Sequence, residues 1–196
     1  MLRIFSAVTV CTILATQMPS KALSSTATLG KRFFQFLEAL EEEDVIYTTR
    51  ASYGQGGSRV DCVMRTKISS YGTRARMCMQ SAIHNRGLPP YPVKITYRQD
   101  RVCNVVTESW DGGQFKLTIY YVGDACVVYS VREKTPLTRG KEACGIWRKN
   151  IRYPVPVNDE CQGNATQVCG SNWRDISSHD KCIRVTTPVC KDYPDK

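Results

Sequence analysis

Phe115-Lys116-Leu117-Thr118-Ile119-Tyr120, then Gly123-Asp124, then Cys126-Val127-Val128-Tyr129-Ser130-Val131 is the stretch that decides the fold. Apolar and polar residues alternate cleanly in the first run. A period of two puts Phe115, Leu117 and Ile119 on one face of a strand. The glycine-aspartate pair turns the chain, and a second run rich in β-branched and aromatic residues follows. Two such runs across a short turn read as an antiparallel hairpin.

The same texture extends outward in both directions. Val45 to Thr49 is β-rich, and Gly54 to Gly57 turns the chain. Strands are expected over Arg59–Ile68, Arg74–Ile83, Val93–Arg98 and Val102–Glu108, the last two as a hairpin about Gln99-Asp100. Downstream, Pro136 to Gly140 is a loop and Ala143 to Lys149 a last strand. About eight strands joined mostly by short turns give a mainly β chain: a meander, a sandwich or an up-and-down barrel. A helix flanks the strands at each end. Thr28 can cap one over Leu29 to Leu40, whose Phe33, Phe36, Leu37 and Leu40 share a face. Its charges oppose the macrodipole, Lys31 and Arg32 early and Glu41 to Glu43 late, so packing must hold it. Asn158 or Asp159 can cap the second over Glu160 to Cys169. There Cys161 and Cys169, eight residues apart, fall near one face and can tie the helix to the sheet.

The N-terminus is a signal segment. Arg3 precedes the uncharged apolar run Ile4 to Ala15, and Ser20-Lys21-Ala22 offers small residues for cleavage after Ala22. The run is too short for a membrane anchor, which needs about 20 apolar residues. Residues 1–22 therefore leave the fold, and residues 23–196 form a single secreted domain. Ten cysteines are present and Cys11 departs with the signal. Secretion with many cysteines implies disulfides. The remaining number is odd, and Cys190 in the tail is the candidate left over. No Cys-x-x-Cys spacing occurs and there are only two histidines, His84 and His179, so no metal or other cofactor is expected.

Composition excludes several functions. The net charge of +9 favours anionic partners such as acidic lipids, glycosaminoglycans or acidic protein faces, but no run of five charges marks a patch. Nucleic-acid binding would rest on charge alone. Ser177, Ser178, His179 and Asp180 are adjacent, and adjacency is not triad geometry. Gly54 to Gly57 lacks a following helix, and Glu41 to Asp44 is a solvated run. No catalytic residue is expected. Asn164-Ala165-Thr166 is a glycosylation sequon inside the second helix.

Signal, helix and strands lead to Cys126-Val127-Val128. After sixteen intervening residues comes Gly145-Ile146-Trp147, and after thirteen more Cys161 in a helix behind Pro156. This pattern resembles the tick salivary lipocalins, the histamine-binding-protein family. The resemblance covers essentially the whole of residues 23–196 and is sharpest from Phe115 to Cys182. It implies a lipocalin-like eight-stranded antiparallel up-and-down barrel, disulfide-stapled, with both helices packed outside. It also implies pairing of Cys62 with Cys182 and of Cys126 with Cys161. Cys78 with Cys103 and Cys144 with Cys169 are further pairs open to the chain. A staple as long-range as the first stabilises by roughly 4 kcal/mol.

In such a barrel alternate side chains face inward. With Cys126 and Cys144 outward, Val127, Tyr129, Gly145 and Trp147 point in, beside Phe115, Leu117 and Ile119. Amine-binding members of the family carry inward carboxylates where this chain has Val127 and Gly145. A buried ammonium without a carboxylate is heavily penalised, so binding of biogenic amines through those positions is not expected, unless Asp61 turned inward to substitute. An apolar ligand with an acidic head, an eicosanoid or fatty acid, suits the remaining lining. Its carboxylate needs a cation, and with Cys62 outward Arg65 faces in. The resemblance thus implies sequestration of a small hydrophobic or amphipathic host mediator. The alternative is a host protein, a complement or clotting factor, held by the loops Leu88–Pro92 and Pro136–Gly140.

Overall fold

The computed structural model describes residues 28–52, 60–83, 92–131, 143–150, 159–177, 182 and 187–190. The chain runs through α1 (Leu29–Glu38), β1 (Val45–Ala51), β2 (Val60–Tyr71), β3 (Arg74–Ile83), β4 (Val93–Gln99), β5 (Val105–Trp110), β6 (Gly113–Val122), β7 (Cys126–Val131), β8 (Ala143–Lys149), α2 (Glu160–Cys169) and the two-residue β9 (Arg174–Asp175). Every neighbouring pair from β2 to β8 is antiparallel. β8 pairs with β1 and β1 with β2, so eight strands close into a barrel. Closure leaves no free edge. β9, in the tail after α2, adds to β1 at Arg50 and Ala51.

β5 departs from expectation. It starts at Val105, because residues 101–104 form the turn, where Val105 N–H donates to the Val102 carbonyl at 3.0 Å and Asp100 N–H to the Val105 carbonyl at 2.9 Å.

α1 plugs one end of the barrel. Thr28 caps it through its hydroxyl, which accepts from Lys31 N–H. Phe33 and Leu37 are fully buried among the strands, and Phe34, outside the expected face, is buried too. A plug is enclosed on more than one side, so its apolar surface is wider than a single stripe. Gly30 sits against the β4–β5 turn, where a Cβ would come within 2.4 Å of the Cys103 carbonyl oxygen.

α2 packs outside β7 and β8, capped by Asp159. Its cluster with Cys126, Val128, Ile146, Cys161 and Ala165 lies apart from the barrel core. Asp159 also forms a two-pronged ion pair with Arg148 of β8, one prong at 2.8 Å.

Among the described residues four disulfides fasten the outer wall: Cys62–Cys182, Cys78–Cys190, Cys126–Cys161 and Cys144–Cys169. The second replaces the expected pairing of Cys78 with Cys103, and it removes Cys190 as the odd cysteine. Register explains why. Cys78 is level with Lys94 in mid-strand, whereas Cys103 lies in the turn beyond Gln99. Arg74 alone, nearer that turn, is four residues or roughly 13 Å from Cys78, beyond the 7 Å a disulfide can span between Cα atoms. Cys103 pairs with none of these eight cysteines.

Candidate functional site

The strand parity read from the cysteines places the barrel's lining. Cys62, Cys78, Cys126 and Cys144 are tied to segments outside the wall, so Arg65, Val127, Tyr129, Gly145 and Trp147 face inward. Leu117, Ile119, Val127, Tyr129 and Trp147 belong to one buried core with Ile46, Met77, Ile95, Tyr97 and Val106. Phe115 is only half-buried against it and lies over Trp110, ring centroids 4.8 Å apart. Both sit at the end of the barrel opposite α1. The side chain of Asp61 and residues 88–91 and 136–140 of the two expected loops lie outside the described residues.

Near the α1 end the interior is filled by rings. Trp147 meets Phe33, Tyr97 and Tyr129 at centroid distances of 5.7, 5.6 and 5.0 Å. Above it lies Arg65, its Cζ 4.5 Å from the Trp147 ring centroid, a cation–π contact. Arg65 Nε donates to the Tyr97 hydroxyl at 3.1 Å and Nη1 to Thr48 Oγ1 at 2.8 Å. The Tyr97 hydroxyl in turn donates to Glu108 Oε2 at 2.8 Å. Thr48, Arg65, Tyr97 and Glu108 therefore form one buried polar chain inside an apolar barrel, each at most 7 % exposed.

Burial works against the Arg65 charge, but the surrounding Tyr97, Glu108 and Tyr129 oxygens outweigh it and hold the guanidinium firmly protonated. Burial pushes the Tyr97 phenol well above its usual range; Glu108 adds to this and Arg65 opposes it. The hydrogen bonds of Arg65 go to hydroxyls, and Glu108 is reached through Tyr97. Trp147 is fully buried, yet its indole N–H has no hydrogen-bond partner among the described residues. Such a group is exceptional in a folded interior.

Gly145 has a steric reason. A Cβ there would stand 2.4 Å from Cζ and the hydroxyl of Tyr129, so the ring of one strand lies on the bare backbone of the next. No larger side chain fits while Tyr129 holds that place.

Glu108 and Tyr97 escaped the sequence reading. Their signals were present: Ile95 precedes Tyr97, and Val106 and Trp110 flank Glu108, at the two-residue spacing of one face. Asn164 sits in α2, its amide donating to the Glu160 carbonyl at 2.8 Å. Ser177 is buried and donates to the Thr48 carbonyl at 2.8 Å; the neighbouring residues 178–180 lie outside the described set. Among the described residues no three His, Cys, Asp or Glu side chains converge on a metal-sized site, and no helix is long and apolar enough to cross a membrane.

A closed eight-stranded antiparallel barrel, plugged at one end by an N-terminal helix and flanked by a C-terminal one, is a lipocalin-like fold. Solved structures agree. Japanin from Rhipicephalus appendiculatus bound to cholesterol matches with a TM-score of 0.51 at 9 % identity, over 71 % of this chain and 95 % of that one. Lobster apocrustacyanin A1 matches with a TM-score of 0.51 at 8 % identity, over 82 % of this chain and 93 % of that one. No family profile matches the sequence, and no curated protein matches it either. The shared property is the fold.

Proposed function

We propose that the chain is a secreted, non-catalytic lipocalin of the tick salivary kind, residues 1–22 being its signal peptide and 23–196 its single domain. It sequesters one small host mediator in its barrel, an apolar molecule with an acidic head such as an eicosanoid or fatty acid. The observation that carries this reading is Arg65: a buried guanidinium lying on Trp147, bonded to two hydroxyls and to no carboxylate directly. An acidic head at that point gains charge-assisted hydrogen bonds in a low-dielectric interior. The unpartnered Trp147 N–H is a further donor for it. The ring-filled half below Arg65 directs the apolar tail to the opposite end, walled by Val63, Met79, Phe115, Leu117 and Val131. Four disulfides support an extracellular setting. Japanin's cholesterol supports an apolar occupant of such a barrel. Val127 and the ring-covered Gly145 supply no counter-charge for an ammonium.

Native mass spectrometry of the secreted, disulfide-intact protein tests this, with arachidonate, leukotriene B4, cholesterol, histamine and serotonin offered in turn. A one-to-one adduct with an acidic lipid is expected. A cholesterol adduct alone would keep the barrel carrier but remove the acidic head. An amine adduct would refute the role given to Val127 and Gly145. No adduct at all would refute sequestration and turn the search to a host protein.

A further inference from the structure

The strands β3 to β6 segregate charge completely. They contain five cations, Arg74, Arg76, Lys94, Arg98 and Lys116, and one acidic residue, Glu108. Strand parity puts all five cations on the outer face, whereas Glu108 is buried inside. In sequence these cations are scattered and form no run; the barrel's register assembles them. Arg74 stands directly opposite Arg98, Arg98 opposite Thr107, and Thr107 opposite Lys116. With adjacent strands about 4.8 Å apart, the row crosses four strands in roughly 14 Å. Arg101 adds a further exposed cation in the turn that follows β4.

Arg74, Arg98 and Arg101 are exposed, and no carboxylate pairs with them among the described residues. Lys116 pairs with Asp100 at 2.8 Å, yet its side chain remains 64 % exposed. Two arginines directly opposite on one face repel each other, which costs stability unless something relieves it. A flexible polyanion does so, because guanidinium groups bind sulfate-like oxygens bidentately. Outside the cell the negative surface potential of the cytoplasmic leaflet is out of reach, and a sulfated polysaccharide supplies the matching charge.

We infer that the Arg74–Arg98–Lys116 row, together with Arg101, is a docking surface for sulfated glycosaminoglycan chains, on the outer wall and independent of the barrel's ligand. It localises the protein on extracellular matrix while the barrel's mouth stays free.

The test is retention on heparin-agarose across a salt gradient, with the full secreted chain. Arg74→Ser/Arg98→Ser is compared with Lys31→Ser/Arg174→Ser, which removes the same net charge elsewhere. The row variant is expected to weaken heparin affinity about tenfold or more, to show a shallower salt dependence and to keep or raise its melting temperature, since the repulsion is relieved. The control variant stays near wild type. Equal weakening by both would overturn the inference, because net charge would then suffice. Failure of the wild type to bind heparin would overturn it as well. So would binding to phosphatidylserine–phosphatidylcholine vesicles without binding to heparin, which would make the surface a membrane one.

Discussion

Replacing Arg65 with methionine tests the interior polar chain directly. Arg65 is 5 % exposed, and its guanidinium is held by Tyr97 and Thr48, with Glu108 one hydroxyl further on. Methionine keeps most of the stem's volume but removes the charge and both donors. Glu108 then lies in the barrel without its counter-charge. Removing one charge from a buried, hydrogen-bonded charge network costs about 3–5 kcal/mol. For a domain of this size each kcal/mol shifts the melting temperature by about 2–4 °C, so the variant should melt roughly 6–20 °C lower. Adding Glu108→Gln in the Arg65→Met background removes the stranded carboxylate and should restore a large part of the loss. Urea unfolding with the disulfides intact, read as a double-mutant cycle, measures both effects. A cost below about 1 kcal/mol for Arg65→Met, or no recovery with Glu108→Gln, would show that the two charges are not coupled and would refute the electrostatic argument.

Gly145→Ala should destabilise by about 1–3 kcal/mol in the same urea assay, because its Cβ falls 2.4 Å from the Tyr129 ring. Peptide mapping of the unreduced protein should recover Cys78 joined to Cys190, and the Cys78→Ser/Cys190→Ser variant should lose about 3–4 kcal/mol, the loop-closure value for the ring of roughly 25 residues that remains to be closed while Cys62–Cys182 is intact. Acid should unfold the protein through its depressed carboxyls. Asp44 is buried, which raises its pKa, but Lys149 at 2.6 Å with Glu41 N–H and Asn150 outweighs this and holds it low; Arg148 does the same for Asp159. Their stabilising effect is full above the unfolded value near 3.9 and is lost as pH falls through the lower folded values. Stability measured against pH should therefore drop below about pH 4, and Asp44→Asn should flatten that limb.

Much of this was legible in the chain because cysteines mark the outside of a barrel wall. Once Cys62, Cys126 and Cys144 are set outward, period two alone turns Arg65, Tyr129 and Trp147 inward, and the structure has them there. The partner of Cys78 was not legible, since it depends on where the tail crosses the sheet and no periodicity encodes that. Glu108 was hidden by its type: a glutamate in a strand ordinarily faces water, and only the apolar residues two positions to either side hint otherwise. The cationic row was hidden by distance along the chain, because Arg74 and Lys116 become neighbours only through the registers of β3 to β6. Phe34 was missed because a helix that plugs a barrel has no single wet face.

The arrangement of the four disulfides has a consequence for survival among proteases. A cut anywhere in residues 84–91 leaves two pieces still joined by Cys62–Cys182 and Cys78–Cys190. A cut in residues 132–142 leaves pieces joined by those two and by Cys126–Cys161. A nicked molecule is thus still one molecule. Its strands stay in register through the remaining ladder, and the clipped barrel stays closed.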